Sequence, residues 1–218
     1  MIRISILDVD VGIASDEQRA IAKALTHQII RDFAPHWYVE AEVGVGVQSI
    51  TDWQLQLLLQ PDQQGALGYH DLTPMGRPIL KVFPRLDALD GVPWSVTASH
   101  EVLETLADPR LCRGAQALDG RWWALEVCDA VEKDTYKVDG VDVSNFVLPS
   151  YFEPPKDPRG AAFDFCGLLR KPLELRPGGY GQWWDPARGW QTTTNGDLRA
   201  ARAAMAAHGR GARRCSRP

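Results

Sequence analysis

Hydrophobic and polar positions alternate at the start of the chain. Ile2, Ile4 and Ile6 fall on one face, with Leu7 and Val9 following, the period of a β-strand. The period then changes. Ile21, Leu25, Ile29 and Phe33 are spaced by four, with Ala22 and Ala24 beside them, so a helix is predicted. Ser15 is placed to cap it, Asp16 and Glu17 suit its positive end, and Pro35 is expected to stop it. Alternation returns over residues 38–47, where Val39, Ala41, Val43, Val45 and Val47 share a face. A connection this long allows the two strands to be parallel neighbours.

Trp53, Leu55, Leu57 and Leu59 predict a third strand, and residues 61–65 a loop. Residues 66–72 and 79–83 are short strand candidates joined by the turn-like Thr73-Pro74-Met75-Gly76. A helix is predicted over 95–107, stopped by Asp108-Pro109 because a residue before proline avoids the helical region. Further on, 122–127 reads as extended, 136–143 as a hairpin turning at Asp139-Gly140, 145–151 as a strand, and the aromatic run 180–184 as another. The alanine-rich stretch 197–208 reads as a helix with Gly209 as its C-cap. The expected class is α+β, with a mixed sheet and a central helix. Residues 1–196 are expected to form one domain and 197–218 a basic helical tail.

The chain has 218 residues, of which 44% are hydrophobic and 24% charged, too apolar for a disordered chain. Its net charge of −4 is uneven: 197–218 carries six Arg and one Asp, +5, which leaves −9 on 1–196. An acidic body argues against a nucleic-acid-binding domain. No apolar run approaches the roughly 20 residues of a membrane span, and the first residues do not read as a signal peptide. The expectation is an unexported chain whose cysteines, Cys112, Cys128, Cys166 and Cys215, are reduced.

Candidate chemistry is concentrated on the predicted central helix. His100, Glu104 and Asp108 stand at i, i+4 and i+8, one stripe of a helix, and Glu101 lies one residue round from His100. Val96, Leu103 and Leu106 make an opposite apolar side, so the helix is expected to bury one face and present the other. In an HExxH helix two ligands one turn apart grip zinc and the intervening glutamate acts as general base. Here the second histidine is Glu104, a harder and anionic ligand. A third ligand must come from elsewhere: Glu126 and Asp129 are the main candidates, and Asp108 either competes or braces the following turn. His70, Tyr136 and Tyr151 are candidate substrate-binding groups that could stabilise an oxyanion. The tryptophan pairs Trp122-Trp123 and Trp183-Trp184 are read as core and edge-strand residues.

The strand–helix–strand opening followed by a His-Glu helix resembles the zincin metallopeptidase fold. The string His100-Glu101-Val102-Leu103-Glu104, then Asp108-Pro109, then Glu126-Val127-Cys128-Asp129, is similar to the HExxE…DP…ExxD pattern of zincin-like EXORDIUM-type proteins of plants and their bacterial relatives. Gly68-Tyr69-His70-Asp71 and Ser99-His100-Glu101 are also similar to segments of a partly phage-associated set of proteins. The resemblance implies His100 and Glu104 as zinc ligands and Glu101 as the base of a metallohydrolase acting on a peptide or protein. It leaves the third ligand open. Position 104 lacks the second histidine, and Arg110 breaks a metzincin-like continuation. The competing expectation is a non-catalytic zincin-like module with an assembly partner, holding zinc or calcium as a staple or no metal. The expected location is cytoplasmic or virion-associated.

Overall fold

A computed structural model describes residues 1–46, 49–63, 66–156 and 159–196. The expected helix over 197–208, its Gly209 cap, the basic tail, Cys215, and Val47 of the second strand lie outside the described residues. The chain is α+β, and its larger sheet is mixed.

The N-terminal alternation forms β1 (Ile2–Asp8), with Ile4 and Ile6 fully buried. The turn that follows is organised by Asp8, whose carboxylate accepts the backbone N–H groups of Val11 and Ile13 at 2.8 and 2.6 Å. Helix α1 (Ser15–His27) then starts with Ser15 already inside it. Ala14 holds the cap position, with no side-chain cap. Pro35 does not stop the helix. The chain winds through a π-helical turn (Gln28–Phe33) into α2 (Ala34–Trp37) with helical backbone at both junctions, so Pro35 sits inside a continuous helical run. Four-residue steps drift round an α-helix, but a π turn winds less per residue and takes that drift back. Ile21, Leu25, Ile29 and Phe33 therefore all stay buried. Tyr38, left-handed at φ 55°, ends the run.

β2 (Ala41–Val45) pairs parallel to β1, and β3 (Trp53–Leu57) pairs parallel to its other side. β5 (Pro78–Val82) lies parallel to β3, and β4 (Gly68–Leu72) closes the sheet antiparallel to β5. The order is β2-β1-β3-β5-β4. Of the two strand candidates over 66–72 and 79–83, only the first is an edge strand. α3 (Pro84–Leu89), which the sequence reading did not anticipate, leads into α4 (Trp94–Ala107).

A second, antiparallel sheet is built from β6 (Gly114–Gln116), β7 (Trp122–Ala124), β10 (Tyr180–Asp185) and β11 (Gly189–Thr194). The tryptophan pairs are strand residues in it, Trp183 opposite Trp123 and Trp184 opposite Trp122. The hairpin β8 (Thr135–Val138) and β9 (Val141–Ser144) turns at Asp139 and Gly140, φ 50° and 84°, as the type I′ geometry requires. Residues 145–151 do not form the expected strand. A single bridge joins Val147 to Asp164, and Pro149, which cannot donate to a ladder, opens α5 (Pro149–Phe152). Cys112, Cys128 and Cys166 are free thiols. Among the described residues no helix is long and apolar enough to cross a membrane.

Candidate metal centre

α4 does not present an open polar face. All fourteen of its residues are buried, because β4 and β5 of the larger sheet, the hairpin strand β9 and α3 all pack on it. The polar stripe expected to be presented is therefore an interior one. Its rotation is fixed by Ser99, whose hydroxyl donates to Gln28 Oε1 at 2.7 Å and accepts Ser144 N–H at 3.1 Å.

His100 and Glu104 meet across one turn, as their spacing requires, with Nε2 and Oε1 3.3 Å apart. The segment after β7 docks on the same carboxylate, since the Cys128 N–H points to Glu104 Oε1 at 3.3 Å. Docking brings Asp129, at the start of a 3-10 turn (Asp129–Val131), to His100: Oδ1 lies 3.3 Å from Nε2. Glu132 Oε2 lies 3.4 Å from the other ring nitrogen, Nδ1.

β4 approaches α4 from the opposite side. It comes so close at Gly68 that a Cβ there would stand 2.6 Å from Thr97 Cγ2 and 3.3 Å from Glu101 Cγ. His70, two residues on, therefore points at the helix. Its Nδ1 is 2.9 Å from Glu101 Oε2 and 3.7 Å from Glu104 Oε2, and its Nε2 is 3.9 Å from Glu126 Oε2. One donor atom from each of His70, Glu104 and Glu126 falls within 4.8 Å of the others, and so does one from each of His100, Asp129 and Glu132.

Of the carboxylates proposed as third ligand, Asp129 joins His100 and Glu126 joins His70. Asp108 joins neither. It accepts the backbone N–H groups of Cys112 and Arg113 at 3.0 and 2.9 Å and so braces the turn after the helix. Glu101 stands against His70. Tyr151 lies where the Asp129 charge reaches it, 2% exposed. Tyr136 is elsewhere, donating to Asp32 at 3.0 Å and accepting from Gln28 at 3.1 Å. The sequence reading missed Glu132, although it continues the three-residue acidic spacing of Glu126 and Asp129. It gave His70 only a substrate role.

The cluster is electrostatically tense. Burial alone would depress His100, but the charges of Glu104 and Glu132 and contact with Asp129 outweigh it and hold the imidazole well above its usual range. Burial pushes Glu132 up to about 7, His100 opposing and Asp129 and Glu104 adding to the rise. Burial also holds the Cys128 thiol well above its usual range, so it is no ready thiolate ligand. Asp129 is fully buried and meets His100 Nε2 at 3.3 Å, and among the described residues nothing donates a hydrogen bond to its other oxygen or partners the Tyr151 hydroxyl. Buried polar atoms left in this way are costly unless something else engages them.

The His100 side chain is 10% exposed and that of Glu132 33%, whereas His70 is 2% and Glu104 0% exposed. The centre therefore opens to solvent on the His100 side and is sealed on the His70 side. No family model matches the chain, and neither a curated protein nor a solved structure matches it.

Proposed function

We propose that the chain is a zincin-like, metal-dependent hydrolase whose ion is held by His100, Glu104 and Asp129. The observation that carries this is the pair of 3.3 Å distances from His100 Nε2 to Glu104 Oε1 and to Asp129 Oδ1. Two donors each about 2.0–2.1 Å from a zinc ion at the tetrahedral angle stand about 3.3–3.4 Å apart. These two separations match edges of a coordination tetrahedron, and the Asp129 oxygen that meets no donor among the described residues fits the same reading. An imidazole nitrogen in the set favours zinc or another first-row ion over calcium, which takes six to eight oxygens. Such an ion supplies Lewis acidity, which makes a coordinated water more acidic and polarises a carbonyl.

The chain's own groups divide the remaining work. Glu132 faces His100 Nδ1 and fixes the ring orientation, as an outer carboxylate does for a ligating histidine. It is also the carboxylate of the cluster that borders solvent, so it would take a proton from an attacking water at the mouth and return it to the leaving amine. Glu101, the base implied by the HExxE resemblance, instead positions His70.

The test is hydrolysis of an unstructured protein such as casein by metal-loaded chain, with elemental analysis of the same sample. Zinc that disappears in His100→Ala, together with cleavage abolished by Glu132→Gln and retained by Glu101→Gln, is the expected result. Loss in Glu101→Gln alone returns the base role to Glu101. Bound zinc without cleavage of any substrate rejects the hydrolase and leaves a staple. A chain that binds no metal refutes the proposal entirely.

A further inference from the structure

We infer that Glu104 bridges two divalent cations, the second held by His70 and Glu126 on the sealed side of α4. The inference rests on the reading above for the first ion and adds a site to it.

Three observations converge. First, the two oxygens of Glu104 diverge: Oε1 faces His100 and Oε2 faces His70. A carboxylate spanning two donor sets in this way suits ions about 3.5–4 Å apart, the spacing of two-metal centres.

Second, each histidine has carboxylates at both ring nitrogens. His100 turns Nε2 toward Glu104 and Asp129 and Nδ1 toward Glu132. His70 turns Nε2 toward Glu126 at 3.9 Å, and Nδ1 toward Glu101 at 2.9 Å and Glu104 Oε2 at 3.7 Å. One donor atom from each of His70, Glu104 and Glu126 lies within 4.8 Å of the others, so one ion can reach all three.

Third, the donors are buried and of one chemical kind. Glu101, Glu104, Glu126 and Asp129 lie nearly or fully out of solvent beside His70 and His100. The donors are carboxylate and imidazole with no thiolate, a set suited to manganese, iron or zinc.

The two sites have different standing. The His100 ion meets solvent and substrate. The His70 ion is enclosed, so its part is to fix the Glu104 carboxylate and, through it, the first ion.

The test uses the full chain, stripped with chelator and dialysed against Mn2+. We expect about two Mn2+ per chain by elemental analysis and the electron paramagnetic resonance of an exchange-coupled pair, since the ions share a carboxylate. Glu126→Gln, which keeps the volume of the side chain, should halve the stoichiometry and replace the coupled spectrum with the sextet of an isolated ion. His70→Ala should do the same, with circular dichroism checking its fold. One Mn2+ per chain, lost in His100→Ala and kept in Glu126→Gln, overturns the bridge and leaves the proposed hydrolase site standing. No bound Mn2+ or Zn2+ overturns both.

Discussion

Asp87 in α3 is fully buried. It accepts the Thr97 hydroxyl at 2.6 Å on one oxygen, while the other has no hydrogen-bond partner among the described residues. Burial pushes its pKa from 3.8 up to about 7, with the Thr97 bond opposing and Asp90 adding. In the folded chain the group therefore keeps its proton over a window where the unfolded chain has released it. In that window the unfolded state binds fewer protons, so stability falls as pH rises, from near the unfolded pKa up to about 7. A shift of about three units corresponds to about 4 kcal/mol, of which about 3 kcal/mol accrues between about pH 4.5 and about pH 7.5. Asp87→Asn keeps the shape and an oxygen for Thr97 but cannot ionise. Relative to wild type, the variant should gain about 3 kcal/mol between those two pH values. Urea unfolding of both proteins with chelator present measures this, since the titration of the metal cluster is common to both and cancels. Parallel stability–pH curves would refute the reasoning, because they would mean that Asp87 ionises as easily folded as unfolded.

Other perturbations follow from close contacts. Gly68→Ala puts a Cβ against Thr97 and the Lys81 carbonyl oxygen, at 2.6 and 2.9 Å, and should cost about 1–3 kcal/mol in urea unfolding; an unchanged midpoint would show slack between β4 and α4. Gln28→Ala removes the amide that bonds Ser99, Ser144 and Tyr136. It should lower stability by about 1–3 kcal/mol for each buried group left without its partner, read as a drop in thermal midpoint. Asp108→Ala should destabilise by about 1–3 kcal/mol while leaving metal stoichiometry unchanged; a lost ion would make Asp108 a ligand after all.

The elements with a sustained period were legible in the sequence. β1, α1, β2, β3 and the Asp139-Gly140 hairpin form where periodicity and turn chemistry place them. Pro35 misled because the helical run continues through it by way of a π turn, a device with no signature in the hydrophobic pattern. β7 falls within the stretch 122–127 read as extended, whereas β6, three residues long, is too short to show a period. Within the site, the His100–Glu104 contact was legible because one helix turn fixes it. The sorting of Asp129 to His100 and Glu126 to His70 was not, because it depends on how the segment after β7 docks. His70 was hidden for a related reason. Its place in the cluster depends on Gly68 admitting the strand to the helix, a tertiary contact between distant parts of the chain. The presented polar side expected of α4 failed on the same ground, since the elements that pack on the helix, β4, β5 and β9, come from distant parts of the chain.

Gln28 has a wider consequence. It contributes no donor to the cluster, yet it fastens Ser99, the neighbour of His100, to Ser144 and to the first helix of the chain. The centre is therefore not a portable motif. A synthetic peptide of 94–107 would carry His100, Glu101 and Glu104 but neither the second histidine nor the clamp that sets the helix rotation. Recombination that split the chain between α1 and β9 would part Gln28 from Ser99, Ser144 or both, and the rotation of the helix that carries His100 would lose its clamp.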